Sequence, residues 1–217
     1  MNCKAVIFDM DGTLLNTVED LADSVNYVMN QYGFPAKTVD EVKHCVGSGA
    51  AVFIGRVIPD GKNNEKFNEV LKSYKAYYLD HCNIKTGPYE HIIDLLAELK
   101  NRGYKIAIVS NKSMGAVKEL SDLYFKDYVD VAIGVEEGLQ RKPAPDECLA
   151  AIRELRVSKD DCIYVGDSEI DHLTAINTGI KCISCLWGFR TREELLAAGA
   201  EGNFFVEDPM EILDILK

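Results

Sequence analysis

Asp9 and Asp11 stand in the run Asp9-Met10-Asp11-Gly12-Thr13, directly after Ala5-Val6-Ile7-Phe8. A β-branched and aromatic run of that length reads as a buried strand. Strand side chains repeat with period two, so the two carboxylates face the same way. Carboxylates held side by side repel. One of them then takes a raised pKa, or a cation sits between them, and either outcome suits acid, base or nucleophile chemistry. Gly12 permits the turn that a Cβ would resist. An acidic Asp-Gly turn on the surface is the plainer reading of the same five residues, and context along the chain decides between the two.

The elements that would position this pair follow from apolar periodicity. From Thr86-Gly87-Pro88 onward, helical segments alternate with short apolar runs. These are Lys105-Ile106-Ala107-Ile108-Val109, Val129-Asp130-Val131-Ala132-Ile133, Cys162-Ile163-Tyr164-Val165, Cys182-Ile183-Ser184-Cys185-Leu186 and a weaker Phe204-Phe205-Val206. Strands alternating with helices imply βαβ crossovers and a parallel sheet covered on both faces. Residues from about 38 to 82 hold no convincing strand. Thr17-Val18-Glu19-Asp20 has the pattern of a capping box, and Leu21, Val25, Val28 and Met29 follow at helical spacing, which predicts a helix to about Tyr32. Gly33-Phe34-Pro35 stops it, and residues 38 to 82 read as helices broken at Gly47-Ser48-Gly49 and Pro59-Asp60-Gly61. The predicted fold is α/β. A Rossmann-like parallel sheet with helices on both faces is built from residues 1–14 and 86–217, and a small helical cap domain is inserted at 15–85.

Ligands of open parallel sheets bind outside the carboxyl ends of the strands. The first strand ends in Asp9 and the second in Ser110-Asn111-Lys112. Arg141-Lys142-Pro143-Ala144-Pro145 follows the third, and the fourth ends in Gly166-Asp167-Ser168-Glu169-Ile170-Asp171. A crevice holding Asp9, Asp11, Asp167 and Asp171 is costly without a counter-ion. Oxygen donors with no His or thiolate nearby favour Mg²⁺ over Zn²⁺, and Mg²⁺ typically binds through a few carboxylates, waters and substrate phosphate. Taken singly, Ser110-Asn111 could cap a helix, Lys142 could be a solvated loop lysine and Asp167 could be an N-cap. Their coincidence at four strand ends is what those readings leave unexplained.

Asp9-Met10-Asp11-Gly12-Thr13, Ser110, Lys142 and Gly166-Asp167, in that order, resemble the four motifs of the haloacid dehalogenase superfamily of aspartate-dependent phosphatases. The phosphoglycolate phosphatase-like branch is the nearest, and Trp187-Gly188-Phe189-Arg190 is similar to that branch too. The resemblance runs from about residue 4 to the C-terminus. It implies that Asp9 attacks phosphorus to give a phosphoaspartate, and that Asp11 protonates the leaving oxygen and later activates water. Ser110, the neighbouring backbone N–H at Asn111 and Lys142 would bind the phosphoryl oxygens. Asp9, the main-chain carbonyl of Asp11 and Asp167 would hold Mg²⁺, with Asp171 a further anchor. Gly47-Ser48-Gly49 resembles the substrate loop of the branch's caps, and Arg56 could reach a substrate carboxylate. Phosphomutases of the superfamily carry polar and basic residues after the corresponding glycine, where Ala50, Ala51 and Val52 stand here. The expected activity is therefore hydrolysis of a small phosphorylated metabolite. A phosphomutase, or a binding or regulatory protein that has lost catalysis, is the alternative.

Composition narrows the partners. The chain has 217 residues, 47% of them apolar and 27% charged, and a net charge of −11. That charge repels phosphate backbones and anionic membranes, so neither nucleic acid nor a membrane is an expected partner. No apolar run approaches spanning length, and Asp9, Asp11, Glu19, Asp20 and Asp23 argue against a signal peptide. Seven cysteines is an odd count that suits reduced thiols and a cytoplasmic protein, monomeric or homodimeric. Cys182 and Cys185 form a C-x-x-C, but positions three apart on a strand face opposite sides, so buried core thiols are expected rather than a shared metal. His44, His81, His91 and His172 show no ligand spacing.

Overall fold

The computed structural model describes residues 3–216. In chain order the strands are β1 (Ala5–Phe8), β2 (Leu15–Asn16), β3 (Gly87–Pro88), β4 (Lys105–Ser113), β5 (Val131–Val135), β6 (Cys162–Gly166), β7 (Lys181–Cys185) and β8 (Phe204–Val206). The helices are α1 (Val18–Gln31), α2 (Val39–Cys45), α3 (Ala50–Val57), α4 (Phe67–His81), α5 (Ile92–Asn101), α6 (Met114–Tyr124), α7 (Asp146–Leu155), α8 (Glu169–Thr178), α9 (Arg192–Ala197) and α10 (Ile212–Ile215). The chain forms two compact units. One is built from the residues up to Leu15 and from Pro88 onward, the other from Asn16–Gly87.

Six strands of the first unit make one parallel sheet in the order β5-β4-β1-β6-β7-β8. The chain thus runs outward from β1 to β5, then crosses back to β6 on the other side of β1, which is the doubly wound α/β order with its switch point at β1. All four residues of β1 are fully buried. Burial on both faces explains why the strand reads as an unbroken apolar run instead of an alternating one. Ala5 and Ile7 pack with Ala107, Val109 and Tyr164 against Cys148, Ala151, Ile152 and Leu155 of α7 and Ala175 of α8. Asp9 follows Ile7 at the next step of the same period.

Three local expectations are corrected. The third strand begins at Val131, not Val129, because Val129 donates its N–H to the Phe125 carbonyl while the Asp130 carboxylate accepts the N–H of Ile106. The fifth is shifted one residue, to Lys181–Cys185. Thr17 is the N-cap of α1, but in a helical conformation (φ −105°, ψ −2°) and without a side-chain capping bond. The carboxylate of Asp20, 2% exposed, is instead used elsewhere in the second unit. It accepts the backbone N–H groups of Ile84 (3.0 Å), Lys85 (3.0 Å) and Thr86 (2.9 Å). A tertiary partner with three donors outweighs one local cap. That unit comprises α1 to α4, whose breaks fall where Gly47-Ser48-Gly49 and Pro59-Asp60-Gly61 stand. None of the described helices is long and apolar enough to cross a membrane.

Candidate active site

Asp9 leaves the carboxyl end of β1 with its N–H still bonded to the Val165 carbonyl of β6, at 2.9 Å. Its carboxylate Oδ1 lies 2.8 Å from the Nζ of Lys142, which lies 2.8 Å from Oδ1 of Asp171. The third bond from this ammonium goes to the Tyr164 hydroxyl, at 3.0 Å. Three acceptors match the three hydrogens of an ammonium, so Lys142 is fully engaged at 3% exposure. Burial alone would drag its pKa down, but the carboxylates of Asp171 and Asp9 outweigh that and the net direction is up. The Asn111 side-chain amide donates to the main-chain carbonyl of Lys142 at 3.0 Å and fixes the loop that presents it.

Asp171 is held from every side. Oδ1 takes Lys142 and lies 3.2 Å from the Tyr164 hydroxyl, while Oδ2 accepts the N–H (3.1 Å) and the hydroxyl (2.6 Å) of Ser168. Asp167, 1% exposed, accepts the Thr13 hydroxyl on Oδ1 at 3.1 Å and the Phe189 N–H on Oδ2 at 2.7 Å. Glycine is required on both flanks of Asp167. A Cβ on Gly12, whose φ is +85°, would meet the Asp167 carboxylate, and a Cβ on Gly188 would run into both Asp167 and the Gly12 carbonyl. Trp187 closes the other side by donating its indole N–H to the Thr13 carbonyl at 2.9 Å.

Asp9, Asp167 and Asp171 each offer a carboxylate oxygen, and these atoms lie within 4.8 Å of one another. Burial, and then Asp171, push Asp9 well above the ordinary carboxylate range. The same two causes raise Asp167 to about 7 against the pull of the Phe189 N–H and Thr13. Such carboxylates require either a proton or a cation. The charge count agrees: of the three carboxylates Asp9, Asp167 and Asp171, two lie against the Lys142 ammonium. Three negative charges against one positive leave the charge that one divalent ion would cancel. Hard oxygen donors, and the absence of His or thiolate from the set, suit an ion of the Mg²⁺ class.

Asp11 stands apart from this triad, with Oδ1 at 3.0 Å from the Nζ of Lys112. Ser110 is 1% exposed, and its Oγ accepts the N–H of Lys112 at 3.3 Å. The remaining candidates lie in the second unit. Arg56 donates to the Cys45 carbonyl at 3.0 Å and to the Ser48 hydroxyl at 3.4 Å, so its guanidinium braces the Gly47-Ser48-Gly49 loop, where Gly47 and Gly49 hold φ of +113° and +84°. Cys182 and Cys185 are buried free thiols, as expected from their spacing on β7.

Sequence reasoning missed four residues of this site: Tyr164, Thr13, Lys112 and Glu147. A tyrosine in an otherwise aliphatic buried strand was a usable signal, since its hydroxyl needs a partner. Glu147 falls on the apolar stripe of α7 with Cys148, Ala151, Ile152 and Leu155, and it is fully buried. Burial raises its pKa to about 7, partly offset by the positive charge and the backbone N–H of Lys142. The native state therefore holds this proton more tightly than the unfolded chain does. Stability is lost as pH rises from the ordinary glutamate value through about 7. Glu147→Gln is expected to stabilise the protein by about 2 kcal/mol at pH 8 and by almost nothing at pH 5, read from urea midpoints. Equal gains at the two pH values would exclude ionisation as the cause.

Known proteins resemble the chain in sequence and in fold. The chain is 29% identical over 187 residues to the phosphoglycolate phosphatase of Aquifex aeolicus, covering 86% of each chain. It is 30% identical over 192 residues to phosphoglycolate phosphatase 1 of Pseudomonas aeruginosa, covering 86% of this chain and 70% of that one. A crystal structure from Lactobacillus delbrueckii subsp. bulgaricus, of a protein provisionally assigned as a phosphoglycolate phosphatase, superposes with a TM-score of 0.95 at 37% identity, covering 100% of this chain and 99% of that one. Residues 6–185, which carry every motif from Asp9 to Asp171, match the family model of haloacid dehalogenase-like hydrolases, and the chain belongs to that family.

Proposed function

We propose that the protein is an Mg²⁺-dependent phosphatase that hydrolyses a small phosphomonoester through a phosphorylated Asp9. The observation that carries this reading is Lys142 bridging Asp9 and Asp171 at 2.8 Å each, beside Asp167, at the carboxyl end of the central strand. The phosphoglycolate phosphatases among its relatives support a small, acidic phosphomonoester as the substrate.

An Asp9 oxygen attacks phosphorus in line as the bond to the leaving oxygen breaks, and Asp11 delivers its proton to that oxygen. Asp11, now ionised, takes a proton from a water that attacks the phosphoaspartate, which releases inorganic phosphate and restores Asp9. Ser110, the backbone N–H of Asn111 and the Lys142 ammonium stabilise the phosphoryl oxygens as charge spreads over them. Asp9, Asp167 and the main-chain carbonyl of Asp11 would hold Mg²⁺, with Asp171 a further anchor, and the ion would supply charge neutralisation for the phosphoryl group. The Asn16–Gly87 unit acts as the cap, and its Gly47-Ser48-Gly49 loop and Arg56 select the leaving group. The enzyme works in the cytoplasm as a monomer or homodimer.

A phosphate-release screen tests this over phosphoglycolate, sugar phosphates, nucleoside monophosphates and p-nitrophenyl phosphate, with Mg²⁺ and with EDTA. Hydrolysis that needs Mg²⁺ is the expected result, accompanied by a rise in melting temperature on adding the ion, since neutralising a buried acidic cluster stabilises the native state. Release that is indifferent to EDTA would overturn the metal assignment. No release from any compound would favour a silent binding protein.

A further inference from the structure

We propose that Lys112 is a positioning residue that holds the Asp11 carboxylate in the orientation from which it exchanges protons with the leaving oxygen and with water. The inference rests on the phosphatase reading above, in which Asp11 is the acid and base, and it assigns a task to a lysine that none of the four motifs requires.

Three observations carry it. The Lys112 side chain is 6% exposed and that of Asp11 15%, with 3.0 Å between Nζ and Oδ1, so this is an enclosed ion pair rather than a surface one. An enclosed pair is screened little by solvent and keeps one geometry, unlike the exposed pairs that contribute almost nothing. The approach is also built into the sheet. The β1–β4 register ends with Phe8 opposite Ile108, and Asp11 stands in the turn three residues beyond β1 while Lys112 stands four residues farther along β4. Finally, β4 is irregular at this point. Val109 pairs with Ile133 and Ser113 with Val135, so four steps along β4 match two along β5. Extra residues of this kind beside a site bend the strand and re-aim a side chain. The irregular stretch is the one that carries Ser110 and Lys112, tied to each other by the 3.3 Å bond from the Lys112 N–H to the Ser110 Oγ.

The division of cations is then clear. Lys142 serves Asp9 and Asp171, and Lys112 serves Asp11. Asp11 is a short side chain that must meet two different oxygens in two successive half-reactions, so misplacing its carboxylate is costly. A displacement of about 1 Å in a catalytic group can cost on the order of 10²-fold. Contact with Lys112 through Oδ1 fixes which way the carboxylate plane turns.

The test compares leaving groups. Proton delivery matters for a phosphorylated alcohol, whose alkoxide leaves poorly, and little for p-nitrophenyl phosphate, whose phenolate leaves unaided. The wild type, Asp11→Asn, Lys112→Met and Lys112→Arg would be assayed with Mg²⁺ on glycerol phosphate, or the best alkyl substrate of the screen, and on p-nitrophenyl phosphate. Asp11→Asn sets the benchmark, with a loss in kcat/KM of about 10²-fold or more on the alkyl ester and a much smaller loss on the aryl ester. Lys112→Met is expected to repeat that asymmetry at reduced scale. Its kcat/KM, which reads only the half-reaction that breaks the ester and not the hydrolysis of the phosphoaspartate common to both substrates, should fall about tenfold to 10²-fold on the alkyl ester and less than about threefold on the aryl ester. Lys112→Arg should recover most of the alkyl activity, and it carries the test if the methionine variant fails to fold. Equal losses in kcat/KM on both esters, or no loss at all, would overturn the role of Lys112 while leaving the phosphatase reading intact. An Asp11→Asn enzyme that shows no asymmetry would overturn the acid–base assignment of Asp11 and, with it, the task proposed for Lys112.

Discussion

Asp9→Asn is expected to lower kcat by about 10⁴-fold or more while the fold survives and becomes more stable. The amide oxygen is a far weaker nucleophile than a carboxylate, and its attack would leave no stable acyl phosphate. The native contact is retained, because the amide oxygen still accepts from Lys142. Stability rises because burial and Asp171 make the Asp9 charge unfavourable, and the exchange removes one negative charge from a triad of carboxylates beside a single lysine. Without Mg²⁺, a gain of about 1–2 kcal/mol in urea at neutral pH is the expected size. Residual activity above about one per cent of the wild type would place the nucleophile elsewhere.

Lys142→Met has the largest expected effect on stability. The substitution keeps most of the apolar stem but leaves Asp9 and Asp171 buried side by side with no cation, and the Tyr164 hydroxyl without its donor. Breaking a buried pair from one side typically costs about 3–5 kcal/mol, and two carboxylates share this ammonium. The folded-state pKa of Lys142 lies above its unfolded value, so its contribution is fully present across the neutral range and is lost only at strongly alkaline pH. In the variant the dependence moves to the acid side: protonation of the stranded carboxylates should shrink the deficit between pH 8 and pH 5, and Mg²⁺ should restore part of it at pH 8. A deficit that is the same at both pH values and unaffected by Mg²⁺ would mean that packing, rather than charge, is what Lys142 supplies.

The parts of this molecule that were legible in the sequence are those whose pattern is local. Ala5–Phe8 and Cys162–Gly166 announce themselves because strands buried on both faces cannot alternate. Asp9, Lys142, Asp167 and Asp171 could be brought to one place by the rule for parallel sheets, without coordinates. Thr17-Val18-Glu19-Asp20 shows the limit of that kind of reading, because three backbone donors more than sixty residues away claim the Asp20 carboxylate. Lys112 was hidden for a related reason. Ser110-Asn111-Lys112-Ser113 reads as the polar exit of a strand, whereas pairing with β5 resumes at Ser113 after the irregular stretch. Trp187-Gly188-Phe189-Arg190 showed a resemblance but not its reason, since only the approach of Asp167 and Gly12 from elsewhere in the chain makes the missing side chain of Gly188 necessary.

The clasp between Asp20 and Ile84–Thr86 joins the beginning of the Asn16–Gly87 insert to its end. A segment whose two ends are fastened to each other is modular: it can lengthen, shorten or change its helices while the points where it enters and leaves the sheet stay fixed. Mutations between those points therefore need not reach the register of β1 or the carboxylates beyond it. The pairing of β2 with β3 fastens the same two ends a second time.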